Sequence, residues 1–100
     1  MSVSTSESEG TNEVVIRVAG RFDFSCHQDF IRGYKAYPKG SKNYVVDLAQ
    51  TEYMDSSAMG MLLQLREHSN KNGNVSLLNG SESVRDILRI ANFDKLFELA

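Results

Sequence analysis

A strand-like run that passes directly into a helix-like run constrains the fold of this chain most strongly. Residues 44–49, Tyr-Val-Val-Asp-Leu-Ala, are mostly apolar or β-branched and predict a buried strand. Residues 55–67 are rich in Met, Leu, Gln and Glu, which favour a helix. We interpret residues 50–54 between them as a short loop. The pattern predicts an α/β domain in which a central strand leads into a packed helix.

The junction Asp55-Ser56-Ser57 marks the expected start of that helix. Asp and Ser side chains accept hydrogen bonds from the unpaired N–H groups of a first helical turn. One of these residues can be the cap, which leaves another hydroxyl at a helix N-terminus that carries about half a positive charge. A phosphoserine there would find both a favourable dipole and backbone donors. Modification could therefore change the surface without unfolding the domain.

Composition and charge limit the classes of function. The chain has 100 residues, 41% of them hydrophobic and 24% charged, which suits one domain with one core. A formal net charge of −2 gives no basic field, which argues against nucleic-acid binding. A single cysteine, Cys26, forms no internal disulfide, and no secretory signal or membrane-length apolar run is present. We expect a cytoplasmic protein without a membrane segment.

The first half of the chain predicts a strand and a helix. Residues 13–19 hold four β-branched side chains and predict a strand that Gly20 ends. Ser25 and Gln28 have the spacing of a capping box, which starts a first helix. Residues 38 and 40, Pro and Gly, stop it. The expected core face of this helix contains Cys26, Phe30, Tyr34 and Tyr37.

The last third predicts a turn at 70–73, a strand at 74–78 and a third helix capped by Ser81 or Ser83. Asn92 is expected to stop that helix, and residues 96–100 to form a short edge strand. Together the elements predict a mixed sheet of about 4–5 strands with helices packed against it. The apolar face of the third helix contains Val84, Ile87, Leu88 and Ala91, and the closing segment has three apolar anchors at Phe93, Leu96 and Phe97.

The second helix carries apolar residues on more than one side. At about 100° per residue, Met59 and Leu63 lie off the face expected to meet the sheet and close to the side of Ser56. Such a partly exposed apolar pair is typical of a contact surface. The alternative is that both side chains pack under a neighbouring loop. The face expected to meet the sheet holds Ala58, Met61, Leu62 and Leu65.

Catalytic and metal-binding patterns are missing from the sequence. His27 and His68 are the only histidines, and no Cys/His spacing suits zinc, so we expect both to be surface residues. Gly60 stands alone inside a helix, so there is no phosphate-cradling glycine loop. The carboxylates are scattered rather than paired for acid-base chemistry. We expect neither an enzyme nor a bound metal or cofactor.

The central stretch resembles the signature of the STAS family, and within it the bacterial anti-sigma factor antagonists. The resemblance rests on the Val-Asp-Leu end of the strand at 46–48, Tyr-Met at 53–54, and Asp55-Ser56-Ser57 followed by a small residue and Gly60. It implies one STAS domain over residues 1–100. The Ser-, Glu- and Gly-rich composition of residues 1–11 predicts a mobile tail, whereas the resemblance implies a short first strand around 3–6 that turns near 9–10. One departure is Ala58-Met59-Gly60, where the family commonly has Gly-Leu-Gly, which suggests an altered choice of partner.

The same resemblance implies a phosphorylation switch. The phosphoacceptor would be Ser56, with Ser57 as the fallback. The unphosphorylated form would bind an anti-sigma factor with serine kinase activity. ATP and magnesium would be bound by that partner and not by this chain. A PP2C-type phosphatase would restore the unphosphorylated form. Asp23, in the family's Gly-x-apolar-Asp position, would lie near the phosphoacceptor or, on its local sequence, cap the first helix. The expected partner-binding residues are Asp23, Asp55, Ser57, Met59 and Leu63.

Two other functions fit the same residues. The domain could be a constitutive STAS subunit of a larger assembly, such as the cytoplasmic component of a lipid or anion transporter, with no phosphate cycle. A nucleotide-dependent activity is the third and weakest interpretation. Intact-mass analysis of the protein from native cells distinguishes the two: a fraction that is heavier by one phosphate would support the switch over the constitutive subunit.

Overall fold

The computed structural model of the protein describes residues 2–8, 10–69 and 75–100, and these form strands, three α-helices and two short 3-10 turns. The strands are β1 (Ser2–Ser8), β2 (Glu13–Phe22), β3 (Asn43–Asp47), β4 (Thr51–Met54), β5 (Ser76–Leu78) and β6 (Glu98–Leu99). The helices are α1 (His27–Lys35), α2 (Ser56–His68) and α3 (Glu82–Ile90). The 3-10 turns span Phe24–Cys26 and Phe93–Lys95.

The six strands form one mixed sheet, so the predicted α/β class is confirmed. Its order is β1-β2-β3-β5-β6, and β4 pairs with the last residues of β2. Only β1 and β2 are antiparallel, as a hairpin needs; the other pairs are parallel and are joined through helices or loops. The sheet has more strands than the four or five expected because β4 and a full-length β1 are present.

The core lies between one face of the sheet and the three helices. Along β2 the side chains of Val14, Ile16 and Val18 are buried, and the residues between them are not, which is the period of two of a half-buried strand. The predicted core face of α2 is confirmed, since Ala58, Met61, Leu62 and Leu65 are all buried. Cys26, Phe30 and Tyr34 of the first helical region are buried as predicted, and Tyr37 packs against the cluster from just beyond the helix.

Residues 51–54 are a strand, so our interpretation of residues 50–54 as a loop was wrong. We predicted that strand β2 ends at Gly20, and this was also wrong, because β2 runs to Phe22. Gly20 has φ +85, and the pairing register shifts after it, which lets β2 continue to Phe22 beside β4. The hydroxyl of Thr51 is buried and donates to the carbonyl oxygen of Val18 at 2.7 Å. This bond fastens the start of β4 to β2.

Helix α1 begins differently from the predicted capping box. The carboxylate of Asp23 accepts from the backbone N–H of Ser25 at 3.0 Å and caps the 3-10 turn that precedes the helix. The prediction that Ser25 and Gln28 cap the helix was therefore wrong, because the chain begins to coil at Phe24, before Ser25. The alternative that Asp23 caps the first helical region is confirmed. The helix ends at Lys35, before Pro38.

The remaining elements follow the predicted order. The short first strand is confirmed and is longer than expected, while Glu9 and the predicted turn at 70–73 lie outside the described residues. The hydroxyl of Ser81, not that of Ser83, caps α3 by accepting from the N–H of Val84 at 3.3 Å. Asn92 adopts the left-handed conformation, φ +61, as its role of helix stop requires. Of the three apolar anchors that follow, Leu96 is 38% exposed, so its burial was wrongly predicted.

Candidate functional site

The ends of β2 and β4 bring two carboxylates to one edge of the sheet. Phe22 pairs with Met54 in parallel register, and the N–H of Asp55 lies 3.4 Å from the carbonyl oxygen of Phe22. Because parallel strands end at the same edge, the next residues, Asp23 and Asp55, lie side by side there. We call the surface formed by Asp23, Phe24, Tyr53, Asp55 and Ser56 the β2–β4 edge.

Asp55 is the cap of α2, which leaves both serines inside the first turn. Its Oδ1 accepts from the backbone N–H of Ala58 at 3.1 Å. Ser56 is the first residue of the helix and is exposed, whereas Ser57 is half-buried. The hydroxyl of Ser56 can thus be reached from solvent at a helix N-terminus, and it is more accessible than that of the fallback serine.

Asp23 remains charged at the same edge. Its Oδ1 accepts from both the hydroxyl and the amide of Ser25, and these bonds, with a smaller contribution from Arg21, hold the pKa of the carboxyl below its ordinary value. The Nε of Arg21 lies 3.5 Å from the Asp23 carboxylate. The guanidinium also lies over the ring of Tyr53, 4.3 Å from its centroid. Arg21, at the end of β2, therefore contacts both Asp23 and Tyr53 of β4 on the surface.

The two residues of the predicted exposed apolar pair, Met59 and Leu63, differ in their exposure. Met59 is half-buried and packs against the edge of the core, while Leu63 is 39% exposed. Leu63 therefore remains available to a partner, and Met59 offers only part of its surface. The roles of these two residues, and of Asp23, Asp55 and Ser57, in binding remain predictions.

Two exposed aromatic residues at the edge were not predicted. Phe24 is 68% exposed, and its ring stacks on that of His27 with centroids 5.0 Å apart. Tyr53 is 41% exposed beneath the guanidinium of Arg21. Exposed aromatics held by a neighbour are typical anchors of protein interfaces. The sequence around Phe24 shows no regular spacing of apolar residues. Sequence alone therefore does not tell whether this Phe belongs to the core or to the surface.

His68 is not the solvated residue that we predicted. It is half-buried, its Nε2 lies 2.8 Å from the carbonyl oxygen of Tyr37, and its ring centroid lies 5.0 Å from that of Tyr34. The histidine links α2 to the turn after α1, a contact between elements that are distant in sequence. Within the described residues, no group of three or more His, Cys, Asp or Glu side chains is placed to hold a metal ion.

No helix among the described residues is long and apolar enough to cross a bilayer. The edge offers an exposed hydroxyl, two carboxylates and two aromatic rings on a rigid α/β frame. These features define a small α/β module with exposed aromatic, hydroxyl and carboxylate side chains at one edge of its sheet.

The chain belongs to the STAS family: the family described as "Mlab, STAS domain" matches residues 5–99. A STAS-domain containing protein of Pseudomonas aeruginosa strain UCBPP-PA14 is 45% identical to this chain over 101 residues and the full length of both. The resemblance stated above is thereby confirmed.

Solved structures place the fold among anti-sigma factor antagonists. The anti-sigma factor antagonist SpoIIAA in its unphosphorylated form is 25% identical, with a TM-score of 0.77 over 99% of this chain and 88% of that one. An anti-sigma factor antagonist from Mycobacterium paratuberculosis, 21% identical, has a TM-score of 0.80 over 98% of this chain and 85% of that one. The Bacillus cell fate determinant SpoIIAA in its phosphorylated form, 20% identical, has a TM-score of 0.62 over 99% of this chain and 91% of that one.

Proposed function

We propose that this protein is an anti-sigma factor antagonist whose binding is switched by phosphorylation of Ser56. In the unphosphorylated form it binds an anti-sigma factor with serine kinase activity and so releases a sigma factor in the cytoplasm. Phosphorylation ends that complex, and a PP2C-type phosphatase restores it. The domain itself is a binding module rather than an enzyme.

The observation that carries this proposal is the exposed Ser56 hydroxyl at the N-terminus of a helix that Asp55 already caps. A kinase can reach the hydroxyl, and the cap does not depend on it. An added phosphate would meet the positive end of the helix dipole, so α2 stays folded when Ser56 is modified. A relative of this fold has been solved in a form described as phosphorylated, which also supports the proposal.

The same phosphate would be unfavourable for a bound partner. It adds a charge of about −1.5 to −2 at an edge that already holds the carboxylates of Asp23 and Asp55. A partner that buries Phe24 and Leu63 would have to desolvate the phosphate dianion, and the single positive charge of Arg21 is already paired with Asp23. A penalty of about 3–4 kcal/mol is enough for a 10²- to 10³-fold loss of affinity.

A capture experiment tests the proposal. The variant Ser56→Ala, used as bait in lysate of the native cells, is expected to retain a protein with serine kinase activity. That protein, incubated with ATP, magnesium and the wild-type chain, should add one phosphate, located at Ser56 by peptide mass spectrometry. Ser57→Ala is the matched control and should be phosphorylated as wild type. Modification of Ser57 alone would contradict the assignment to Ser56.

Intact-mass analysis of the protein from native cells separates the switch from the constitutive STAS subunit. A fraction that is heavier by one phosphate supports the switch. A single unmodified mass under all growth conditions, together with stable isolation in a transporter complex, would instead support the constitutive subunit.

A further inference from the structure

A second candidate binding surface lies in the groove between α1 and α2, which meets the β2–β4 edge where the ring of His27 stacks on that of Phe24. The groove has a volume of about 380 Å³ and is lined by residues of both helices and of the turn after α1. Among the described residues, its lining includes Lys35, Lys39, His27 and His68 and a single carboxylate, that of Glu67. The groove is thus a basic feature on a chain whose net charge is −2.

The two lysines have no compensating partners in the described structure. Neither Lys35 nor Lys39 takes part in an ion pair with another described residue, and both are exposed. Two positive charges therefore face the groove without a bound counter-charge. By contrast, ion pairs to carboxylates engage Arg17, Arg21, Arg32, Lys42 and Arg89.

The length of the groove indicates what kind of ligand it fits. His27 and Lys35 are the first and last residues of α1, eight residues apart, which is about 12 Å at 1.5 Å per residue. One phosphate or carboxylate cannot contact both ends. Between them the groove is lined by the half-buried Ile31 and the buried Tyr34. The groove therefore has two lysines at one end and the apolar side chain of Ile31 in its middle, and a ligand that fills it is longer than one phosphate or carboxylate.

We propose that the α1–α2 groove binds an acidic, amphipathic segment of a partner protein. Its apolar side chains pack on the half-buried Ile31, and its carboxylates lie beside Lys35 and Lys39. Charge complementarity of this kind raises the association rate and selects against basic partners. The inference goes beyond the Ser56 switch, because the lysine end of the groove, Lys35 and Lys39, is not part of the β2–β4 edge.

A peptide titration followed by NMR tests the groove. The ¹⁵N-labelled full chain is titrated with a short amphipathic helical peptide of Glu and Leu, and separately with the same peptide carrying Lys in place of Glu. We expect the Glu peptide alone to bind and to shift the amide signals of residues 27–39 and 64–68. Absence of binding, equal binding of both peptides, or shifts confined to the β2–β4 edge would overturn the proposal.

Two double variants with the same change in net charge distinguish a site from general attraction. Lys35→Glu with Lys39→Glu should weaken binding of the Glu peptide by about tenfold or more, because both contacts become repulsive. Arg89→Glu with Lys95→Glu alters exposed residues on and just after α3, which do not line the groove, and should change the affinity less than about threefold, since exposed charges at a distance are screened. Circular dichroism checks that both variants fold.

Equal losses in the two variants would refute a defined groove. Sedimentation of the protein without peptide provides the last check. If a second copy of the chain occupied the groove, the protein would self-associate and Lys35→Glu with Lys39→Glu would prevent it, which would overturn the proposal of an acidic partner segment.

Discussion

At the scale of single residues, two aspartates serve both the fold and the candidate site. Asp23 and Asp55 each follow a parallel strand, and each accepts a backbone N–H of the helical turn that comes next. Capping a strand-to-helix junction in this way places a carboxylate at the sheet edge in both cases. The local requirement for a cap therefore also places two carboxylates on the surface near Ser56, one of which is paired with Arg21.

Replacing Asp55 tests its role as the cap. Asp55→Ala removes the acceptor for the N–H of Ala58 and should lower the free energy of unfolding by about 1 kcal/mol, within the usual range of about 0.5–2 kcal/mol for a lost N-cap. Urea denaturation measures this change. Asp55→Asn keeps a capping oxygen and should lose much less. Equal stability of Asp55→Ala and wild type would show that the cap contributes little.

A buried tyrosine makes stability depend on pH. Tyr44 is fully buried, and loss of hydration raises the pKa of its phenol to about 12. The unfolded chain releases this proton near pH 10, its ordinary value. The stabilisation due to the neutral phenol is therefore present below about pH 10 and is lost as the pH rises from about 10 to 12.

In Tyr44→Phe the free energy of unfolding should fall less steeply with rising pH above about pH 10 than in wild type. Phenylalanine has no phenol to ionise, although the variant also loses the bond from the Tyr44 hydroxyl to the carbonyl oxygen of Tyr34 at 3.4 Å. Urea unfolding between pH 8 and about 11.5 compares the variant with wild type and with Tyr53→Phe, whose ring is 41% exposed. Parallel curves for wild type and Tyr44→Phe would contradict the assignment.

At the scale of elements, helices were predicted better than strand ends. The apolar faces of α2 and α3 follow from local periodicity, which is contained in the sequence of each helix. Strand β4 has only four residues, and it forms because β2 continues past Gly20 and offers it a partner. Pairing between residues 20–22 and 51–54 is a non-local event that composition does not encode.

The same distinction applies to the candidate site. The start of α2 at Asp55-Ser56-Ser57 was predicted because capping is local chemistry, whereas the choice of Ser56 came from the resemblance to the STAS family. Phe24 and Tyr53 were missed, because their exposure depends on how two strands distant in sequence end beside each other. The half-burial of His68 was missed for the same reason, since Tyr37 and Tyr34 cover it from another element.

Thr51 offers a direct test of the β4 attachment. Thr51→Val keeps the side-chain shape but removes the donor to the buried carbonyl oxygen of Val18, so the free energy of unfolding should fall by about 1–3 kcal/mol. Thr51→Ser keeps the hydroxyl and should recover much of the loss. Denaturation measures the stabilities, and faster amide hydrogen exchange in residues 51–54 should accompany Thr51→Val alone. Equal stability of the Val and Ser variants would argue against this bond.

At the scale of the whole molecule, α2 separates two candidate surfaces. Ser56 and His68 are its first and last residues, about 18 Å apart at 1.5 Å per residue. This separation exceeds the screening length of about 8 Å at physiological salt. A phosphate at Ser56 should therefore act on the β2–β4 edge and on the His27 end of the groove that adjoins it, and much less on the far end, where His68 lies.

The most direct test of the proposed function is the affinity of one partner for two forms of this protein. The kinase captured with Ser56→Ala is titrated by calorimetry with the unmodified chain and with the chain phosphorylated at Ser56; Ser57→Asp serves as a control for added charge one residue away. The account predicts a 10²- to 10³-fold loss of affinity, about 3–4 kcal/mol, on phosphorylation. Equal affinities of the unmodified and phosphorylated forms would contradict it.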